Sequence, residues 1–267
     1  MPKEQKKNRY HLLDTLRGLT LLSMIAYHGT WDLVWLYGIK WDWYRGTGAY
    51  IWQQSICWTF ILLSGFCWSL GKHHLKRGLL VFGGGALVTL ATVIFMWDDR
   101  VVFGVLTMLG SCMLFMIPLH RWMEKWNPWF GLAGSAFLFF LTRNVNNGYL
   151  GFERMNLIKL PEELYHGLAS TYLGFCDSGF FSTDYFSLIP WFFLFLVGYF
   201  LYQGLWRTGI MDRRTGEEQN TGKRLSEKIL GFHIPPLSFI GRHSLLIYML
   251  HQPVLYLIFQ AMFMIVN

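Results

Sequence analysis

The sequence predicts an all-α protein: a polytopic transmembrane helical bundle of about seven spans with its N-terminus in the cytoplasm. Of the 267 residues, 53% are hydrophobic and only 15% are charged, and the mean hydropathy is +0.31. A water-soluble domain of this length needs more charge to cover its surface. The four cysteines show no CxxC spacing, so we expect no metal site.

Seven apolar stretches approach the length that crosses roughly 30 Å of hydrocarbon. They lie at about 12–36, 49–70, 77–97, 101–119, 127–142, 186–206 and 237–263. Two polar segments separate them: 143–185, in which we expect a short interfacial or re-entrant helix, and the hydrophilic loop 207–229. We see no internal repeat, so the chain is predicted to form one transmembrane domain over residues 1–267.

The distribution of Lys and Arg predicts the orientation. With the N-terminus in the cytoplasm, fifteen of these residues fall on the inner side of the membrane and six on the outer side. The positive-inside rule then places 207–229 inside and 143–185 outside. The net charge of +7 is interpreted as this topology signal, since the cations do not interleave with aromatics on one face as in a nucleic-acid-binding protein.

The first apolar stretch contains Asp14, Arg17, His28 and Asp32. Arg17 and His28 are eleven residues apart, so on a helix they share one face about 16 Å apart along the axis. Asp32 follows His28 by four residues and is expected to contact its imidazole. Such a stripe is costly in lipid and should face the bundle interior or a water-filled cavity. A His–carboxylate pair favours proton abstraction, and a polar packing network is the alternative.

The last apolar stretch carries a second polar set. Ser244, Tyr248 and His251 share a helical face, while Arg242 and His243 lie at its inner end, where they can meet a phosphate from the cytoplasm. For His251, a hydrogen-bonded packing role is the alternative to a catalytic one.

Asp184 precedes the sixth stretch, near its outer end. It is expected either to cap that helix or to line an outward-facing substrate mouth. His73 and His74, in a short basic loop, are expected to face solvent or lipid headgroups.

Four segments resemble bacterial members of the heparan-α-glucosaminide N-acetyltransferase family, in the same order along the chain. They are DTLRGLTLLSMIAYHGTWDL, FGVLTMLG, DYFSLIPWFFLFLVGYFL and GRHSLLIYMLHQPVL. The spacing of Arg17 and His28 is also similar to that in inner-membrane acyltransferases that O-acetylate sugars. Bacterial relatives often carry a histidine where this chain has Thr107. The resemblance implies transfer of an acetyl group from cytoplasmic acetyl-CoA to a sugar on the far side of a bacterial inner membrane.

The residues and the resemblance together give a hypothesis for the site. Acetyl-CoA would be held at the inner side by Arg17, Arg242, His243 and Ser244. His28, oriented by Asp32, would act as general base on a hydroxyl or amine, with Tyr248 and His251 donating to the oxyanion. Asp184 would contact the acceptor. The expected partners are membrane lipids, acetyl-CoA and a sugar or glycan, and a homo-oligomer is left open. The alternatives are a proton-coupled transporter and a non-catalytic membrane scaffold.

Overall fold

The computed structural model describes residues 10–209 and 231–266. Nearly all of the predicted loop 207–229 lies outside these residues, and so do the four cations of the N-terminal tail on which the orientation partly rests. The described chain is mainly helical, as predicted.

Each apolar stretch contains a helix. The helices are α1 (His11–Trp35), α2 (Thr47–Trp68), α3 (His74–Phe95), α4 (Val105–Met123), α5 (Pro128–Leu141), α6 (Gly167–Leu173), α7 (Leu188–Arg207), α8 (Pro235–Arg242) and α9 (Ser244–Val266). The last predicted stretch is divided, because the helix is interrupted at His243 and α8 and α9 are separate.

Four helices of the described chain are long and apolar enough to cross a membrane: α3, α4, α7 and residues Ser244–Ile265 of α9. The 14-residue α5 spans only about 21 Å, shorter than the hydrocarbon layer. Large apolar side chains are left outside the packed interior, with Phe95 82% and Ile265 84% exposed. These surfaces need lipid to cover them, so the chain is a membrane protein.

The chain forms two compact units. Of the described residues, the first unit contains those up to Phe60 and those from Gly209 onward, and the second contains Ile61–Thr208. The boundary falls within α2.

In the first unit, α8 packs closely against the N-terminal half of α1. A Cβ on Gly18 would lie 2.0 Å from the carbonyl oxygen of Leu237, and one on Gly241 would lie 1.9 Å from that of Asp14. The two helices can therefore approach this closely only because both positions are glycine. The buried hydroxyls of Thr15 and Ser238 are hydrogen-bonded across the contact, 2.8 Å apart.

In the second unit, α3 packs on α4 through small residues. A Cβ on Gly85 would lie 2.5 Å from both the backbone nitrogen and Oγ1 of Thr107, and one on Gly110 would lie 2.5 Å from Phe82. The backbone of α3 therefore lies directly against Thr107, which is buried.

The segment between α5 and α7 folds into a hydrogen-bonded subdomain, also in the second unit. It contains α6, which is the short helix expected from the sequence, and an antiparallel hairpin of β1 (Tyr149–Phe152) and β2 (Met155–Lys159), which the sequence analysis did not predict. The Asn146 amide donates to the Gly174 carbonyl (2.8 Å) and to the Ser187 hydroxyl (2.9 Å). The Asp177 carboxylate accepts the backbone N–H groups of Gly167 and Gly179, and these bonds hold its pKa below the usual range.

Candidate functional site

A pair of histidines forms the centre of the candidate site in the first unit. His28 on α1 and His251 on α9 have ring centroids 4.9 Å apart, with the ring planes inclined by 58°. Because α1 is continuous from His11 to Trp35, Arg17 and His28 lie on one face about 16 Å apart, as the sequence predicts. The first and last long helices of the chain thus bring their imidazoles into contact.

The hydrogen bonding of His251 identifies its tautomer. Its Nδ1 contacts the backbone carbonyl oxygen of Tyr248. A carbonyl oxygen can only accept, so Nδ1 carries the proton and Nε2 of the neutral ring keeps its lone pair. Nε2 is buried without a hydrogen-bond partner. His251 therefore presents an unused basic nitrogen.

Asp32 is fully buried, and its partner differs from the one expected. Oδ1 accepts a hydrogen bond from Nε2 of Gln252 at 2.7 Å. The described structure contains no hydrogen bond or ion pair between the side chains of Asp32 and His28, so the prediction that Asp32 orients His28 through such a bond is wrong. The reason is competition from α9, whose Gln252 amide supplies an N–H to the carboxylate while His251 provides the ring that packs on His28.

Three buried acceptor atoms near the histidine pair have no partner: Asp32 Oδ2, Gln252 Oε1 and His251 Nε2. An isolated buried acceptor costs free energy that a folded protein normally avoids. All three belong to consecutive or directly hydrogen-bonded residues. The arrangement is therefore suited to a ligand that brings hydrogen-bond donors, such as a hydroxyl or an amine.

Among the residues around the histidine pair, Gln252 was not predicted from the sequence. The available signal was an amide inside a predicted membrane helix, next to His251. An uncharged amide is also expensive to bury in hydrocarbon and usually finds a polar partner on another helix.

The predicted phosphate-binding arginines are brought to one helix crossing. Arg17 precedes Gly18 and Arg242 follows Gly241, the two glycines of the α1–α8 contact. Arg17 forms an ion pair with Asp14 at 3.8 Å, and the exposed Arg242 donates from Nε to the Ser238 carbonyl at 3.2 Å. Anionic groups could therefore be bound by two guanidinium groups here.

The remaining predicted residues of the last stretch occupy two environments. The exposed His243 lies in the interruption between α8 and α9, and its Nδ1 is 2.9 Å from the Phe239 carbonyl oxygen. Ser244 begins α9, and Tyr248 follows one turn later with its ring centroid 5.4 Å from that of His251. Tyr248 is thus beside the histidine pair, whereas His243 is at the α8 end.

Asp184 belongs to the second unit and caps a different helix from the one expected. Its Oδ2 accepts the backbone N–H of Val105, the first residue of α4, at 3.3 Å. Burial raises its pKa to about 6, although the Val105 hydrogen bond acts in the opposite direction. The expected cap of the sixth stretch is wrong because the segment before α7 folds back on residues 100–105, where Thr183 and Phe186 also form backbone hydrogen bonds.

The described residues contain no group of three or more His, Cys, Asp or Glu side chains that could hold a metal ion. The side chains named above present imidazole, carboxylate, amide and guanidinium groups at the site. The family model described as "Heparan-alpha-glucosaminide N-acetyltransferase, catalytic" matches residues 9–253, which include parts of both units. No curated protein and no solved structure matches the chain.

Proposed function

Because the chain belongs to the heparan-alpha-glucosaminide N-acetyltransferase catalytic family, we propose that it transfers an acetyl group from cytoplasmic acetyl-CoA to a sugar or amine acceptor across the membrane. The family supplies the acyltransferase class.

The observation that carries the proposal is the contact of His28 with His251 beside three unpaired acceptor atoms. Acyl transfer to an amine or hydroxyl requires a base for the proton that the acceptor loses. The lone pair on His251 Nε2 supports this role, because its tautomer is set by the Tyr248 carbonyl. We therefore assign the base to the histidine pair, in place of His28 oriented by Asp32 alone.

In the proposed reaction, the acceptor nitrogen or oxygen bonds to the acetyl carbonyl carbon and its proton passes to the imidazole. The carbon–sulfur bond of the thioester then breaks, and the departing thiolate takes the proton from the imidazolium. Asp32 and Gln252 would hold the donor groups of the acceptor. The hydroxyl of Tyr248 would stabilise the developing oxyanion.

Acetyl-CoA would be bound at the α1–α8 crossing, with its phosphates on Arg17 and Arg242 and further contacts from His243 and Ser244. The separation of about 16 Å between Arg17 and His28 suits an extended pantetheine arm. The attraction of Arg17 for a phosphate is weakened, because Asp14 already neutralises part of the charge of its guanidinium group. Arg242 is exposed and makes only a backbone contact in the described structure.

We further propose a single domain with seven spans, the N-terminus in the cytoplasm and the chain in a bacterial inner membrane. The positive-inside count supports this orientation. The four described helices that are long and apolar enough to cross a membrane are compatible with it. For the second unit by itself, we keep the prediction that Asp184 contacts an acceptor, in addition to its cap on α4.

The test is acetyl-CoA binding and hydrolysis by the purified protein in detergent. We expect His28→Ala and His251→Ala each to lower turnover by about 10²–10⁴-fold with binding largely kept. Arg17→Ala should weaken binding. His166→Ala, which removes an exposed histidine of the second unit, is the matched control and should behave as the parent does.

Two results would contradict the proposal. If the parent does not bind acetyl-CoA, the acyltransferase assignment fails and a proton-coupled transporter becomes the better interpretation. If His28→Ala and His251→Ala turn over like the parent, the histidine pair is a packing contact.

A further inference from the structure

One end of the second unit gathers cations from four helix termini. There α2 ends at Trp68, α3 begins at His74, α4 ends at Met123 and α7 ends at Arg207. We call this surface, formed by residues 69–77, 118–126 and 203–208, the basic end.

Aromatic contacts under the surface hold these termini together. The buried Trp68 ring stacks on His74, with centroids 4.0 Å apart, and lies 5.1 Å from His120. His120 Nδ1 is 2.7 Å from the Tyr199 hydroxyl, which ties α4 to α7. The Arg207 guanidinium donates to the Glu124 carbonyl oxygen. The three segments of the basic end are therefore one continuous surface.

The charge balance of the basic end is strongly positive. It carries one carboxylate, Glu124, which pairs with His120 at 3.3 Å. Its cations number six: Lys72, Lys76, Arg77, Arg121, Lys125 and Arg207.

The opposite end of the same unit, residues 96–104 and 142–187, has the reverse balance. It contains four Lys or Arg residues and seven Asp or Glu residues. Anion attraction is therefore concentrated at one end of the unit.

The helices that meet at the basic end indicate where this surface lies relative to the bilayer. Of the four described helices that are long and apolar enough to cross a membrane, three have a terminus at this surface: α3, α4 and α7. The neighbouring Trp122, Trp126 and Trp129 are 61%, 40% and 47% exposed. Exposed tryptophans at helix ends are typical of the membrane–water interface. A surface at that interface would hold its cations at the level of lipid headgroups.

We propose that the basic end binds anionic phospholipid headgroups, such as phosphatidylglycerol, in the leaflet that it faces. Basic surfaces between the ends of membrane helices attract anionic headgroups, and the tryptophan rings anchor beside the glycerol region. The cations lie on three separate segments, beside the exposed rings of Trp122, Trp126 and Trp129. This spread is better suited to binding several lipids around a helix bundle than to binding one soluble anion. This inference does not depend on the proposed acyl transfer.

The experiment is native mass spectrometry of the full chain released from detergent containing equal amounts of phosphatidylglycerol and phosphatidylcholine. The parent should retain phosphatidylglycerol in at least threefold excess. The variant Lys72→Gln/Lys76→Gln/Arg121→Gln/Lys125→Gln, which changes only exposed side chains, should lower this ratio towards one. Arg154→Gln/Lys159→Gln, at the acidic end, is the control and should keep the parental ratio.

Three outcomes would overturn the proposal: equal retention of the two lipids by the parent, an unchanged ratio in the quadruple variant, or the same loss in the control. Millimolar coenzyme A is added in a separate arm. If it displaces phosphatidylglycerol from the parent, the surface binds soluble phosphates and the lipid assignment is wrong. A circular dichroism melt of each variant identifies any ratio change that comes from unfolding.

Discussion

Two regions of the molecule differ in whether their polar side chains are fully hydrogen-bonded. In the subdomain between α5 and α7, the amide nitrogen of Asn146 donates to two firm acceptors, and the Tyr185 hydroxyl donates to the Thr171 carbonyl at 2.5 Å. At the histidine site, the amide of Gln252 uses its nitrogen on Asp32 but leaves its oxygen without a partner. In the subdomain the polar side chains are hydrogen-bonded to neighbouring groups of the same segment. At the histidine site several acceptor atoms have no partner among the described residues.

The difference separates structural from functional polarity. A satisfied network stabilises one conformation of a loop, whereas an unsatisfied buried acceptor is a cost that a ligand can remove. Residue type alone does not distinguish the two, because both regions use amides. Mutations should therefore affect stability in one region and activity in the other.

In the comparison of the two regions, the largest expected effect is that of Asp32→Asn. Removing a fully buried charge should leave the midpoint of thermal unfolding unchanged or higher, since Gln252 can still donate to the new amide oxygen. Turnover of acetyl-CoA should fall about 100-fold, because a preorganised charge at the reacting groups is lost. Both quantities are measured on the same preparation.

The exposed Asp42→Asn is the control for that variant and should change neither quantity. A large drop in the unfolding midpoint of Asp32→Asn would show that the carboxylate is structural, and the contrast between the two regions would not hold.

A smaller effect is expected from Asn146→Ala. The substitution leaves the Gly174 carbonyl and the Ser187 hydroxyl without their donor, so the free energy of unfolding should fall by about 2–3 kcal/mol. Asn147→Ala changes an exposed neighbour and should stay within about 0.5 kcal/mol of the parent. Chemical denaturation reports both, and equal losses for the two variants would contradict the prediction.

The smallest effect concerns pH and Asp184. Its folded pKa of about 6 lies above the ordinary value of 3.8. Between about pH 4 and 6 the unfolded chain releases this proton before the folded chain does, so rising pH destabilises the parent. Asp184→Asn removes the titration. Its advantage over the parent should grow across this window to about 1–2 kcal/mol and then stay constant, allowing for partial screening by solvent.

Unfolding midpoints at pH 4.5 and pH 7 test the Asp184 prediction. The exposed Asp98→Asn serves as the reference. An advantage of Asp184→Asn that is equal at both pH values would show that ionisation is not its source.

Local patterns explain how much the sequence could predict. Apolar length located a helix in every predicted stretch, and the helical period placed Arg17 and His28 on one face. Neither pattern could predict the hydrogen-bond partner of Asp32. Gln252 is 220 residues away, and the choice between His28 and Gln252 depends on how α9 packs. The hairpin was missed for a related reason, since β2 is a wholly exposed strand without an alternating pattern. The cap on α4 likewise depends on Asp184, which lies 79 residues from Val105.

The separation of Asp32 from Gln252 also sets an order of events during synthesis. A ribosome adds about 5–20 residues per second, so roughly 10–40 s pass between translation of the carboxylate and of the amide that binds it. For most of that interval α1 carries its charged residues before α8 and α9 have been translated. The second unit, by contrast, is continuous in the chain and is complete before the first unit can close. The histidine pair therefore cannot form until α9 has been translated, and a chain that stops before α9 never has it.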